Sequence, residues 1–392
     1  MAGFEARPLR IALVHDFLMQ MGGGEKLLEV LHEMYPSAPV YTSAYDPEVM
    51  PDRFRKWDIR TSFLQRLWWK RKTHRLALAL YPIAFESFDF SDYDLVISST
   101  TSFAKGVVTG TATHHLCYTN TPMRYAWTTG SYSEHEQMGR LARLALVPTT
   151  HYLRLWDAVA ASRVDTYIAN SSTVARRIQK YYRRASRVIH PPVETGNFSI
   201  SERVEDYYLA VARLIPYKRL DLAVDAFSRL KIPLKVVGTG RQLEPLRARA
   251  GSCVSFLGHV SDADLAPLFA RARGYVMPGE EDFGISPVEA NASGRPVIAY
   301  AAGGALDTQI NGETGILFEE QTVDCLCDAV CRAERMDFDS GYIRDHSLRF
   351  DTSVFISRIR EAVADVMSRP DGPVSTHATV RTLDGPGAST RA

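Results

Sequence analysis

After its first residues the chain presents an apolar run, Arg10-Ile11-Ala12-Leu13-Val14-His15, that breaks at Asp16. A short run apolar on both faces predicts a strand covered on both sides. It leads through Gly22-Gly23-Gly24 into a helical pattern from Glu25 to Met34. Further buried strands are expected at Asp94 to Ser98, Leu116 to Thr119 and Thr166 to Ala169, the last followed by a helix through Tyr182. The same alternation restarts near Tyr207. Strands are expected at Tyr208 to Ala212, Leu234 to Val237, Val254 to Leu257, Tyr275 to Met277, Val297 to Tyr300 and Gly315 to Phe318. Helical patterns separate the first of these, at Leu220 to Leu230, Leu243 to Ala250 and Asp264 to Ala272. Strands and helices in strict alternation predict parallel α/β sheets. Two consecutive doubly wound α/β domains are the simplest architecture.

The 392 residues suit two or three domains. His190-Pro191-Pro192 to Glu205 marks the boundary, because paired prolines disfavour helix. We assign residues 1–198 to a first domain and 199–352 to a second, with a helix over 353–367 returning to the first. Residues 369–392, rich in Pro, Gly, Ser and Thr, are expected to be a disordered tail. Three of the five cysteines (Cys325, Cys327, Cys331) share one helical stretch, which favours small buried apolar groups over a disulfide framework or a metal site. The N-terminus has no signal-peptide pattern, and no apolar stretch is long enough to span a bilayer, so a cytoplasmic protein is expected.

Ligands of open α/β sheets bind beyond the carboxyl ends of the strands. The Gly22-Gly23-Gly24 loop is suited to bringing helix-start amides toward an anion, or to serving as a flexible turn. Gly238-Thr239-Gly240 begins like a dinucleotide fingerprint, but Leu243 stands where the third glycine belongs. That argues against a nicotinamide cofactor and leaves a glycine-lined approach to a phosphate. Arg213 and Lys218, at the end of the second domain's first strand, offer a donor fork and a compact charge suited to a diphosphate. Glu281 and Glu289 flank Phe283-Gly284-Ile285 at a helix start. Acids near a helix N-terminus complement its dipole, which accounts for Glu289 but not for the placement of Glu281.

The Glu281-x7-Glu289 pattern, the Arg213–Lys218 pair and the triglycine loop together resemble the retaining glycosyltransferases of family 4, across about residues 10–368. The segments Cys117 to Trp127 and Val188 to Val193 resemble bacterial mannosyltransferases of O-antigen and exopolysaccharide assembly. That resemblance implies a GT-B fold, two Rossmann-like domains facing across a cleft. It implies that Arg213 and Lys218 hold the donor diphosphate, that Glu289 accepts from the ribose, and that Glu281 orients the transferred sugar with the amides near Phe283, Gly284 and Ile285. Gly23, Gly24 and Gly238 would approach the donor, and Val260 and Asp262 would border its base, with a lean toward guanine. Ser261 and Asp264 also fit a helix cap, a competing reading of the same segment. Asp16, Asn120 and Arg124 are acceptor-side candidates. Those relatives commonly have histidine where this chain has Asn120, and a loop-capping role for Asp16 is an equal alternative. The family needs no metal, and no cofactor is expected. Retention without an enzymic nucleophile implies front-face transfer, the leaving phosphate taking the acceptor proton.

The net charge of +1 argues against nucleic acid as a partner. It divides into +6 for residues 1–200 and −5 for residues 201–392. No acid occurs between Asp58 and Glu86, where Trp68, Trp69, Lys70, Arg71 and Lys72 cluster. Such a segment suits an anionic membrane surface, or a surface helix whose tryptophans pack on the domain. The expected protein is therefore a transferase peripheral on the inner face of the cell membrane, moving a hexose, mannose from GDP-mannose, onto a lipid-linked saccharide. A UDP-sugar transferase or epimerase acting on a soluble substrate, and a non-catalytic nucleotide-sugar-binding scaffold, are the alternatives.

Overall fold

The computed structural model describes residues 9–67, 78–127 and 140–368. Trp68, Trp69, Lys70, Arg71, Lys72 and the 369–392 segment lie outside the described residues. In the first half, β1 (Ile11–His15), β2 (Val40–Thr42), β3 (Ile59–Thr61), β4 (Leu95–Thr100), β5 (His114–Thr119), β6 (Thr166–Ala169) and β7 (Ser186–Val188) form one sheet. Its order is β3-β2-β1-β4-β5-β6-β7. In the second half, β8 (Tyr208–Val211), β9 (Leu234–Val237), β10 (Val254–Gly258), β11 (Gly274–Met277), β12 (Val297–Tyr300) and β13 (Gly315–Phe318) form another, ordered β10-β9-β8-β11-β12-β13. Neighbouring strands in both are parallel.

Parallel strands need helices on both faces, and the burial shows why the central runs are continuously apolar. Ala12, Leu13 and Val14 are fully buried on β1, as are Leu209 and Ala210 on β8. β2, β3 and β7 were not expected from the pattern; each is three residues long, and β3 and β7 are only partly covered. The helix Thr352–Met367 packs on the first sheet's side of the molecule, burying Phe355, Ile359, Ala362, Val363 and Val366 against a core that includes Leu27, Leu31 and Tyr118. Cys327 packs within the second domain's core, and Cys117 is buried in the first.

In each sheet the strand order reverses once, between β1 and β4 and between β8 and β11. Loops leaving adjacent strands in opposite directions at such a point open a crevice. The loops after these four strands line a cavity of about 590 Å³ shared by both domains. No helix among the described residues is long and apolar enough to cross a membrane.

Candidate active site

On the first domain's side, β1 delivers His15 and Asp16 to the cleft rim. Asp16 is buried and its carboxylate is occupied. One oxygen accepts from the amides of Phe103 and Ala104, at 2.7 Å each. The other accepts from the Thr101 amide at 2.6 Å, the Thr101 hydroxyl at 2.7 Å and the Ser102 amide at 3.0 Å. A carboxylate so engaged organises the loop after β4, the loop-capping alternative expected for Asp16, while the residue also lines the cavity. Lys105, in the same loop, is buried and pairs with Asp157, which also accepts from the Trp127 indole at 2.7 Å. His15 Nε2 lies 3.5 Å from Glu25 Oε1, and both side chains are almost fully buried. Glu25 carried no role in the sequence reading; its position in the first turn of the triglycine helix gave no distinguishing signal.

The helix Gly23–Met34 begins at the cleft with Gly22 as its cap and no side-chain oxygen on its first amides. Glycine at 23 serves the domain contact, because a Cβ there would lie 3.0 Å from Ile285 Cδ1 of the other domain. A Cβ on Gly24 would lie 3.5 Å from His15 and 3.8 Å from the Asn120 amide. Asn120, half-buried after β5, donates to Ser99 Oγ at 3.3 Å and accepts from Asn170 Nδ2 at 2.9 Å through its carbonyl. Arg124 reaches across the cleft to Asp282, with its guanidinium 5.2 Å from the Tyr217 ring.

On the second domain's side, the loop after β8 brings Arg213 and Lys218 to the cavity, and the loop after β11 brings Glu281. Lys218 Nζ forms an ion pair with Glu281 and lies 5.3 Å from the Tyr217 ring centre. Arg213 donates to Gln20 of the first domain at 3.5 Å. Phe283, Gly284 and Ile285 also line the cavity. Gly284, at φ +89°, precedes the helix Ile285–Ala292 without capping it by a side chain. The Glu281 backbone is held by Gly304, whose amide donates to Glu281 O at 2.8 Å. Glycine at 303 makes room: a Cβ there would sit 2.1 Å from that same oxygen.

Four expected donor residues lie outside the cavity lining. Gly238, at φ +127°, faces the backbone: a Cβ there would lie 1.9 Å from Ala212 O. Glycine here lets the Arg213 loop pass close to the next strand's loop. Val260 is half-buried and packs on the second domain's core. Asp262 is exposed and 3.7 Å from Lys26 of the first domain. Ser261 accepts from the Asp264 amide at 3.3 Å and donates to its carboxylate at 2.6 Å, so Ser261 caps the helix that begins at Asp262. Glu289 is half-buried beneath the loop; burial raises its pKa, opposed by Lys26 and the Ser286 hydroxyl. Two neighbours of this loop were not foreseen: Tyr217, which lines the cavity beside Arg124 and Lys218, and Arg177, which pairs with Glu280 and Asp282. Arg177 follows a strand's carboxyl end on an amphipathic helix, but its partners lie more than a hundred residues away.

Residues 205–335 match the family model for glycosyl transferases group 1. The match lies within the second domain, which is therefore similar to group 1 glycosyltransferase domains. All six strands of its sheet fall within the match. Among curated relatives, the GDP-mannose-dependent alpha-(1-6)-phosphatidylinositol monomannoside mannosyltransferase of Mycobacterium tuberculosis is 34% identical over 140 residues, 31% of this chain and 36% of the relative. The match thus spans about a third of that relative's length. The D-inositol 3-phosphate glycosyltransferase of Mycobacterium bovis is 28% identical over 340 residues, covering 72% of this chain and 69% of that one. Among solved structures, Anabaena HepE in complex with UDP superposes with a TM-score of 0.67 at 17% identity, covering 91% of this chain and 100% of HepE. Sucrose-phosphate synthase from Thermosynechococcus elongatus gives 0.70 at 18% identity over 92% and 100% of the two chains. The paired parallel sheets and these likenesses make the fold GT-B.

Proposed function

We propose that the protein is a retaining glycosyltransferase that moves mannose from GDP-mannose onto a lipid-linked saccharide in cell-surface polysaccharide synthesis. The observation that carries this reading is the convergence of Arg213, Lys218 and Glu281 at the switch point of the second sheet, opposite the uncapped triglycine helix. Two cations from one loop and free helix-start amides from another suit a diphosphate placed between them. Lys218 and Arg213 would stabilise charge on the departing phosphate. A bound diphosphate would share Lys218 with Glu281, leaving that carboxylate to accept from the hydroxyls of the transferred sugar. Glu289, beneath the loop, would reach the ribose, and Val260 and Asp262 would border the base. Asn120 and the rim of the first domain would face the acceptor. No metal enters this scheme: the two cations and the amides supply the compensating charge.

The mannosyl donor is supported by the Mycobacterium tuberculosis relative, whose name states GDP-mannose dependence. A lipid-linked acceptor calls for a membrane surface. The acid-free stretch between Asp58 and Glu86 supports peripheral attachment at the inner face, and Leu80 and Ile83 near its end are exposed. The donor is tested by thermal-shift titration with GDP, UDP, ADP and their sugars; saturation at 100 times Kd stabilises by about 2.7 kcal/mol. GDP-mannose should give the largest shift, and a preference for UDP would replace the donor. Flotation with anionic and neutral vesicles tests attachment, and equal recovery in both would remove it.

A further inference from the structure

We propose that Glu280 and Asp282 form a latch between the domains, gripping Arg177 and Arg124 so that Glu281 is positioned opposite Lys218. The three acids occupy consecutive places in one extended loop. Glu281 turns toward Lys218 within its own domain, while its two neighbours turn to the other domain. Asp282 pairs with both Arg124 and Arg177, and only 15% of its side chain is exposed. Arg177 also donates to Glu280 Oε1 at 2.8 Å. At the start of the same helix, Ser172–Tyr182, the Ser172 amide and hydroxyl donate to Asp307 of the second domain at 3.0 and 3.1 Å. These contacts place part of the positive half's charge directly against the negative half's acids.

Isolated surface ion pairs contribute little to stability. This set differs in that every pair joins one domain to the other, so opening the cleft breaks all of them together. An open cleft would return Asp282 to water and free the loop from its outer attachment. The loop's far end is already anchored, because Phe283 stacks on His190 of the interdomain connection with ring centres 5.3 Å apart. Its inner side rests on Gly303 and Gly304. The latch therefore supplies the remaining restraint on Glu281, and Glu280, Asp282 and Arg177 act as positioning residues. The consequence for turnover rests on the function proposed above; the consequence for domain closure does not.

The test uses the full-length chain and X-ray scattering at low and high salt, beside sugar-nucleotide kinetics. Asp282→Asn and Arg177→Gln should each enlarge the radius of gyration at low salt, and the double variant should be no larger than either. High salt should open the wild type toward the same value, since screened charges lose their pairing. Asp282→Glu should remain compact. In kinetics, kcat/KM for the sugar nucleotide should fall about 10- to 100-fold in the two neutralised variants, as expected for a misplaced reacting group, and recover in Asp282→Glu. The melting temperature should stay close to wild type. Scattering identical to wild type in both neutralised variants would overturn the latch, as would opening without any change in kcat/KM. If the wild type turns over no sugar nucleotide, the proposed function falls while scattering still decides the closure.

Discussion

Replacing Gly238 by alanine separates a glycine that touches ligand from one that lets backbone pass. The new Cβ would lie 1.9 Å from Ala212 O, whereas ordinary contact begins at 3.4 Å, so about 1.5 Å must be found by moving one loop. Overpacking of that kind costs about 1–3 kcal/mol. A non-glycine residue at φ +127° adds strain of about 1–3 kcal/mol. The sum, roughly 2–6 kcal/mol, corresponds to a fall in Tm of roughly 4–24 °C at about 2–4 °C per kcal/mol for a domain of this size. Gly312→Ala is the control: its φ is +87° with open space around it, so it carries the strain without the overlap and should lose about half as much. Thermal unfolding followed by circular dichroism, with GDP titrations on the folded variants, makes the comparison. A Gly238→Ala protein that melts with the wild type yet loses nucleotide affinity would refute the packing account and return this glycine to the ligand.

Asp16→Asn should destabilise the first domain by about 3 kcal/mol, since one amide oxygen cannot replace two carboxylate oxygens serving four backbone amides; chemical denaturation measures this, and an unchanged midpoint would deny the capping role. His115, fully buried beside Ser98 Oγ at 2.8 Å, has its pKa lowered by burial to about 3. The unfolded chain therefore takes up this proton first as pH falls below about 6.5. Stability from this group is complete above 6.5 and is lost toward pH 3, at about 1.4 kcal/mol per pH unit. His115→Gln should flatten that part of the stability profile, and an unaltered slope would contradict the buried neutral imidazole.

The buried strands were legible because they are continuous apolar runs, as Leu234–Val237, Val297–Tyr300 and Gly315–Phe318 show by matching their expected limits. The edge strands were not: Ile59–Thr61 carries Arg60 outward and offers only three residues of pattern. The placing of Arg213, Lys218 and Glu281 at the cavity was legible because their loops follow recognisable strands. The close packing at Gly238 was illegible because a glycine after a strand looks the same whether a phosphate or a carbonyl approaches it. Asp262 fits both a base contact and the first turn of a capped helix, and sequence spacing does not separate these. Arg177 with Asp282 was illegible for a simpler reason: the two meet only when the domains do, 105 positions apart.

The central claim is that Glu281 and Lys218 operate on a sugar nucleotide in this cleft. The most direct measurement is release of nucleoside diphosphate from GDP-mannose by the wild type and by folded Glu281→Gln, with and without a lipid-linked saccharide acceptor. Acceptor-stimulated release of GDP by the wild type, and a loss on the order of 100-fold in the variant, are expected. Equal release by both proteins, or none from any sugar nucleotide by the wild type, would contradict the central claim.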